Sequence, residues 1–138
     1  MRFVDTNVLL YAVSTDPREA AKATTARALL ESTDLALSVQ VLQEFYVQAT
    51  RSTRSGRLSH EQAALLIEAW LRCPVQDTTV PIMRVACTTA HVSGISYWDA
   101  AVIEAARALG CATVLSEDLA DQRDYAGVHV ENPFRSMT

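Results

Sequence analysis

The stretch RFVDTNVLLYAV, at residues 2–13, decides the fold prediction because its character changes within a few positions. It opens with a short apolar run, typical of a buried strand, that ends at Asp5. Thr6 and Asn7 follow, and a second apolar segment then fits a helix. The stretch therefore predicts a buried strand that leads directly into a helix, with an acidic side chain at the junction.

The rest of the chain continues this alternation of short apolar runs and helix-forming segments. Asp16-Pro17, Ser38, Ser59 and Ser96 are typical N-terminal caps, and Gly110 is a typical C-terminal signal. We expect about seven helices and four or five strands. Further strands are predicted at 35–38, 75–76, 112–115 and 128–130. Strands that alternate with helices predict an α/β sandwich around a mostly parallel sheet.

Length and composition limit the classes of protein to which the chain can belong. Its 138 residues fit a single domain over 1–138, and 49% hydrophobic residues exclude a disordered chain. A net charge of −4 argues against nucleic-acid binding through bulk positive charge, but allows a local basic patch or a bridging metal. Three cysteines without a CxxC pair predict reduced thiols and a cytoplasmic location. No apolar run reaches the roughly 18 residues of a membrane span.

Four acids fall where an α/β sheet binds ligands. Asp5 and Asp118 follow the carboxyl ends of two predicted strands, Glu44 lies in the helix after the second strand, and Asp99 lies in the first turn of a helix. Carboxylates about 4 Å apart repel each other by roughly 1–4 kcal/mol, so a convergent set needs protons or a cation. Oxygen ligands suit Mg²⁺ or Mn²⁺, and the absence of His and Cys at ligand spacing argues against zinc.

Each acid also has a local interpretation. Asp99 fits a capping box with Ser96, Glu44 fits a solvated helix stripe, and Asp118 fits a turn or an N-cap. Asp5 is harder to explain locally, because its apolar neighbours predict partial burial and a buried acid without a partner is costly.

Four motifs, in this order, resemble those of the PIN-domain ribonucleases, and among them the VapC-type toxins of bacterial toxin–antitoxin pairs. They are VDTNVLLYA with Asp5, Thr6 and Asn7, VLQEF with Glu44, SYWDA with Asp99, and LSEDL with Ser116 and Asp118. The resemblance covers nearly the whole chain. It implies a three-layer α/β/α domain of the PIN type.

The resemblance also implies an activity and partners. The expected activity is Mg²⁺-dependent hydrolysis of RNA phosphodiester bonds, with Mn²⁺ as a substitute ion. The expected partners are an RNA substrate, a second copy in a homodimer, and a cognate VapB-like antitoxin in the active-site groove. A PIN-like module that binds RNA or protein without cutting it is the alternative hypothesis. Loss of chemistry would relax the demand for costly clustered acids, so the four acids favour the enzyme.

Carried onto this chain, the resemblance makes Asp5, Glu44 and Asp99 the core metal-binding acids and Asp118 the fourth. Thr6 and Asn7 support the site, and Ser116 occupies a position that can orient a metal-bound water. Glu117 stays an alternative to Asp118.

Side chains around the acids have less specific interpretations. Arg51, Arg54 and Arg57 recur every three residues after the Glu44 helix and fit either RNA phosphate contacts or a solvated helix end. Tyr97 and Trp98 fit base stacking, but packing in the core or at a dimer contact is the favoured interpretation.

Two other phosphate-handling classes fit poorly. A haloacid-dehalogenase-like phosphatase needs Asp-x-Asp at the first strand, where this chain has Asn7 in the third position. A receiver domain needs a lysine at a late strand end, but the sole lysine, Lys22, lies in an early helix.

Overall fold

A central sheet of six strands organises the protein, for which a computed structural model describes residues 1–137. The strands are β1 (Arg2–Val4), β2 (Leu35–Ser38), β3 (Val75–Gln76), β4 (Thr113–Leu115), β5 (Asp124–Tyr125) and β6 (Val128–Glu131). Their spatial order is β3-β2-β1-β4-β6-β5, and neighbours pair in parallel except that β5 is antiparallel to β6. The predicted α/β fold with a mostly parallel sheet is confirmed.

The sheet holds one strand more than the four or five predicted. The additional strand, β5, forms a tight hairpin with β6 around Ala126 and Gly127, whose φ angles of 51° and 98° are both positive. The Asp124 carboxylate accepts a hydrogen bond of 2.8 Å from the Gly127 amide and closes the turn. A strand of two residues has no hydrophobic period, so the sequence pattern did not predict it.

Six α-helices and two 3₁₀ turns lie within residues 1–137. The helices are α1 (Thr6–Ala12), α2 (Ala20–Leu30), α3 (Val39–Ala49), α4 (His60–Trp70), α5 (Val80–Ser93) and α6 (Tyr97–Ala108), and the turns are Pro17–Glu19 and Arg135–Met137. The sequence predicts one continuous helix from Asp16. The structure starts this segment with the 3₁₀ turn, capped by the Asp16 carboxylate on the Arg18 amide, and continues it as α2.

The predicted helix caps are confirmed at three serines. The hydroxyl of Ser38 accepts from the Val41 amide, and Ser59 forms a complete capping box with Gln62. The hydroxyl of Ser96 accepts from the amide of the third helical residue at 3.1 Å. These caps set where α3, α4 and α6 begin, and therefore where their first-turn side chains lie.

Helices cover both faces of the sheet. Every residue of β2 is buried, which requires packing on its two sides, and α3 and α6 both contact it. Phe3, Val114 and Val130 on neighbouring strands are fully buried in the same core. None of the helices within residues 1–137 has the length and apolar character needed to cross a membrane.

Because β1, β2 and β4 are parallel, their carboxyl ends lie at one edge of the sheet. Asp5 directly follows β1, Ser38 ends β2, and Ser116 directly follows β4. The topology therefore brings the start of α1, the start of α3 and the segment after β4 to a common edge, where α/β proteins bind ligands.

Candidate active site

Asp5 is the most buried of the predicted site acids, with 7% of the residue exposed. It caps α1 through a 2.8 Å bond from the Thr6 amide to Oδ1, while Oδ2 accepts from the Ser116 hydroxyl at 2.7 Å. Burial raises the pKa of Asp5 from its ordinary 3.8 to about 6. The bonds from Ser116 and Thr6 oppose this rise in pKa, and the charges of Asp118 and Glu44 add to it.

Ser116 and Asn7 join the segment after β4 to the start of α1. The fully buried Ser116 hydroxyl donates to Asp5 and accepts from the amide of Asp118 at 3.1 Å. The Asn7 Nδ2 group lies 3.2 Å from Ser116 Oγ and 3.3 Å from Asp118 Oδ2, while Asn7 Oδ1 accepts from the Glu117 amide at 3.1 Å. In this arrangement the only proton of the Ser116 hydroxyl is used by Asp5, so Ser116 positions the acid.

Glu44 reaches the same edge from α3. Its Oε2 accepts from the Thr6 hydroxyl at 3.0 Å, and its Oε1 accepts from Gln40 Nε2 at 3.1 Å. Thr6 therefore contacts two acids, since its amide donates to Asp5 and its hydroxyl donates to Glu44. Glu44 is half-buried and bonded on both carboxylate oxygens, unlike a residue on a solvated stripe.

Asp99 lies in the first turn of α6, where its amide donates to the capping Ser96 hydroxyl. Burial raises the pKa of the Asp99 carboxyl, the Ser96 hydrogen bond opposes this, and the charges of Asp118 and Glu44 add to the rise. A local capping role thus coexists with electrostatic contact to the other acids. Gln40 also links this region to Glu44, because its Nε2 lies 3.4 Å from the Trp98 carbonyl oxygen.

Asp118 is exposed, and its carboxylate accepts the bond from Asn7. Its charge helps to raise the pKa of both Asp5, at the end of β1, and Asp99, at the start of α6. The structure therefore brings the four acids predicted from the sequence, Asp5, Glu44, Asp99 and Asp118, into one electrostatically connected group, hereafter the acidic quartet.

The quartet has the donor chemistry of a site for a hard divalent cation. Ion pairs formed by the described residues, 1–137, do not include any of its four carboxylates. The raised pKa of Asp5 reflects the cost of this uncompensated charge, which a bound cation would relieve. In that same part of the chain, no three Asp, Glu, His or Cys side chains stand where they could hold one metal ion. As placed, the four carboxylates supply the donor chemistry of a cation site but do not meet around one point. The quartet is a candidate ligand set through that chemistry and through its uncompensated charge, with carboxylates held by neutral donors.

Glu117, the sequence-level alternative to Asp118, has a different environment. Its carboxylate forms a 2.7 Å ion pair with Lys22 and accepts from the Tyr11 hydroxyl at 2.5 Å. Burial raises the pKa of Glu117, but the bonds from Lys22 and Tyr11 outweigh it and bring the pKa below its ordinary value. Its charge is already compensated, so the geometry favours Asp118 as the fourth acid.

The three arginines for which RNA contacts or a solvated helix end were the alternatives lie in the loop between α3 and α4. Arg54 donates to the Leu10 carbonyl oxygen at 3.5 Å, in the last turn of α1, where a cation is favourable. Arg51 and Arg57 are exposed. Arg54 therefore has a structural contact, and the other two keep their charges in solvent.

Sequence reasoning missed two features of this edge. Gln40 bonds both Glu44 and the carbonyl of Trp98, a role signalled only by its spacing of four residues from Glu44 on α3. Trp98 has 63% of its residue surface exposed, so it does not pack in the core of this chain, whereas packing at a dimer contact stays a prediction. Which large side chain remains uncovered depends on the packing of α6 and was not readable from the sequence.

Solved structures of low sequence identity share this fold. A VapC20 toxin of Mycobacterium tuberculosis that cleaves the sarcin–ricin loop is 22% identical, with a TM-score of 0.67, covering 86% of this chain and 92% of that one. A toxin–antitoxin complex from Klebsiella pneumoniae contains a chain of 18% identity and TM-score 0.69, covering 96% of this chain and 98% of that one. VapBC2 of Rickettsia felis, bound to a fragment of its promoter DNA, gives 18% identity and a TM-score of 0.63, covering 95% and 97%.

Sequence comparison adds one family assignment. None of the curated proteins matches the chain significantly. The family model of the PIN domain matches residues 2–128, which is nearly the whole chain and includes all four acids of the quartet. The structural neighbours agree with this match in fold. On this evidence the chain belongs to the PIN domain family.

Proposed function

We propose that this protein is a Mg²⁺-dependent endoribonuclease that hydrolyses RNA phosphodiester bonds and acts as the toxin of a type II toxin–antitoxin pair. The observation that carries the proposal is the convergence of four acids, without a basic partner among residues 1–137, at the ligand-binding edge of a parallel sheet. The fold shared with VapC toxins supports the assignment.

Within this proposal each group at the edge has a role. Asp5, Glu44, Asp99 and Asp118 are the residues that would hold Mg²⁺, or Mn²⁺ as a substitute. A bound ion would supply positive charge to the scissile phosphate and lower the pKa of an attacking water. Ser116, Thr6 and Asn7 fix the carboxylates through the neutral hydrogen bonds described above. Arg51 and Arg57, exposed beside α3, contact RNA phosphates.

The cation also explains how an acidic protein holds a polyanion. With a net charge of −4, the chain repels RNA at long range. With a divalent cation bound, the quartet would present positive charge to an RNA phosphate in place of four carboxylates.

The proposed partners are a VapB-like antitoxin and a second copy of the chain. Several structural neighbours are toxins solved in complex with their antitoxins. Exposed apolar side chains on α5 (Val80, Met83, Val85 and Val92) supply surface for protein association. The three cysteines are free thiols, consistent with the proposed cytoplasmic location.

The direct test is cleavage of purified RNA by the chain freed of any partner. Cleavage is expected with Mg²⁺ or Mn²⁺ and not with excess EDTA. Glu44→Gln removes one charge of the quartet and should abolish cleavage. Glu68→Gln makes the same change on an exposed residue of α4 and should leave it intact. Absence of cleavage with either metal would support the binding-module alternative.

The toxin role has a separate test in cells. Expression of the chain should arrest growth, expression of Glu44→Gln should not, and co-expression of the product of the neighbouring reading frame should restore growth. Growth unaffected by the active chain would contradict the toxin assignment while leaving the nuclease assignment intact.

A further inference from the structure

The two tryptophans of the chain have opposite environments. Trp70 is 7% exposed and packs edge-to-face on Phe45, with ring centroids 4.7 Å apart. Trp98 is 63% exposed, although it directly precedes Asp99 of the quartet. Tyr97 contacts the Trp98 ring edge-to-face at 5.0 Å, so the indole is supported from one side. A large aromatic ring left uncovered beside a candidate active site is available to a ligand.

Trp98 forms one wall of a cleft of about 410 Å³ against α3. The other lining residues come from α3 and share one face of that helix: Gln40, Gln43, Glu44, Val47 and Gln48. Since Glu44 is a member of the acidic quartet, the cleft begins at the candidate active site and extends away from it along α3.

The glutamines of the cleft differ in their bonding. Gln40 is held in place, because its Nε2 donates to Glu44 and to the Trp98 carbonyl. The side-chain amides of Gln43 and Gln48 make no hydrogen bond to any group within residues 1–137. Each free amide offers donors and an acceptor to a ligand that enters the cleft.

The chemistry of the lining selects a neutral, flat ligand. No arginine, lysine or histidine is among the cleft residues that the structure describes, so a phosphate has no cationic partner there. An exposed indole supplies a stacking face, and free amides match the hydrogen-bonding edge of a heterocycle. These are the groups with which proteins bind an unpaired nucleobase.

We propose that the cleft between Trp98 and the glutamine face of α3 binds an unpaired nucleobase next to the scissile phosphate. The inference rests on the proposed ribonuclease function and adds to it a base-binding subsite that is formed by this chain's own Trp98 and the glutamines of α3. Bases in a duplex are already stacked and paired, so they cannot enter the cleft without being extruded. Trp98 supplies the stacking surface, and Gln43 and Gln48 contact the edge of the base.

Fluorescence of Trp98 tests base stacking without requiring cleavage. Trp70→Phe leaves Trp98 as the sole indole. A single-stranded RNA is titrated in Ca²⁺, and a gel at the end of the titration confirms that the strand is intact. Saturable quenching is expected with the single strand and not with the same strand in a duplex. Equal quenching by both, or none at saturating RNA, would overturn the proposal.

Steady-state cleavage supplies the second readout. Trp98→Ala should raise KM by roughly tenfold to a hundredfold with little change in kcat, and Trp98→Phe should recover most of the loss. Leu65→Ala, at a 72% exposed position of α4, is the matched control and should change neither parameter. An unchanged KM in Trp98→Ala would reject the base subsite while the nuclease proposal stands.

Failure of the nuclease proposal can also be distinguished from failure of the base subsite. If the wild-type protein cuts no RNA but still quenches with single strands through Trp98, the subsite is supported and the nuclease proposal fails. If Trp98→Ala binds RNA normally but sediments with a different mass from the wild-type protein, the indole covers a protein contact and the subsite is rejected.

Discussion

Two buried acids of this protein, Asp5 and Glu104, have nearly equal burial and opposite environments. Asp5 is 7% exposed and Glu104 is 4% exposed. Glu104 accepts from Arg107 Nε at 2.9 Å and from the Thr89 hydroxyl at 2.9 Å, so its charge is balanced. Asp5 accepts bonds from neutral groups, and the charges of Asp118 and Glu44 raise its pKa further.

The difference separates an acid that holds the fold together from one that needs a ligand. Arg107 also donates to the carbonyl oxygens of Tyr125 and Ala126, so the Glu104 pair ties α6 to the β5–β6 hairpin. Within residues 1–137, Asp5 makes no comparable connection to a basic group. A buried charge without a counter-ion is costly, and burial accordingly raises the pKa of Asp5.

The largest expected contrast is in cleavage. Asp5→Asn should reduce the cleavage rate roughly 1000-fold, because loss of about 4 kcal/mol of metal-dependent charge stabilisation has that effect. Glu104→Gln should leave the cleavage rate per folded molecule within about twofold. Single-turnover cleavage with each variant measures both. Comparable losses in the two variants would contradict the separation of roles.

The free energy of unfolding, unlike the cleavage rate, should depend strongly on the ion pair of Glu104. Arg107→Met leaves Glu104 charged and buried, and we expect it to lower the free energy of unfolding by about 3 kcal/mol. This is the low end for buried ion pairs, because the Arg107 side chain is 37% exposed. Urea unfolding measures the change. Arg84→Met, an exposed position of α5, is the control and should shift stability by less than about 0.5 kcal/mol.

The free energy of unfolding should depend on pH in the way that the raised pKa of Asp5 predicts. Between about pH 4 and pH 6 the folded, metal-free protein binds more protons at Asp5 than the unfolded chain, so stability should fall as the pH rises. A pKa raised from 3.8 to about 6 corresponds to about 3 kcal/mol over this interval. Asp5→Asn should remove most of this slope in unfolding measured with EDTA. An identical slope in both proteins would show that Asp5 titrates normally.

The smallest expected effect concerns Lys22, which balances Glu117. Lys22→Met should loosen the segment after β4 and weaken Mg²⁺ binding by roughly fivefold, or about 1 kcal/mol. The Mg²⁺ dependence of the cleavage rate measures it. Arg18→Met, which breaks an exposed pair with Asp16, should have no effect. Tighter Mg²⁺ binding by Lys22→Met would instead indicate that the released Glu117 is itself a ligand.

The PIN fold and the positions of the four acids within it were predictable because their signals are local. A strand that ends in Asp5, serines that cap α3, α4 and α6, and short apolar runs between helices each depend on a few neighbouring residues. Parallel strands then place their carboxyl ends at one edge, so the positions of the acids follow from the order of the elements.

The partners of each acid were not predictable in this way. Glu117 and Asp118 are adjacent in sequence. Lys22, which lies far from them in the chain on α2, forms an ion pair with Glu117 alone of the two. Likewise, the exposure of Trp98 depends on how α6 packs against its neighbours.

The sequence by itself determined the order of strands and helices, the caps that begin the helices, and which acids lie at the ends of strands. Tertiary structure alone decided which buried acid meets an arginine, as Glu104 does, and which meets other acids, as Asp5 does. The physical reason is the distance along the sequence over which each kind of interaction acts. Periodicity and capping act within a few residues, whereas charge compensation depends on side chains that packing brings together from distant parts of the chain.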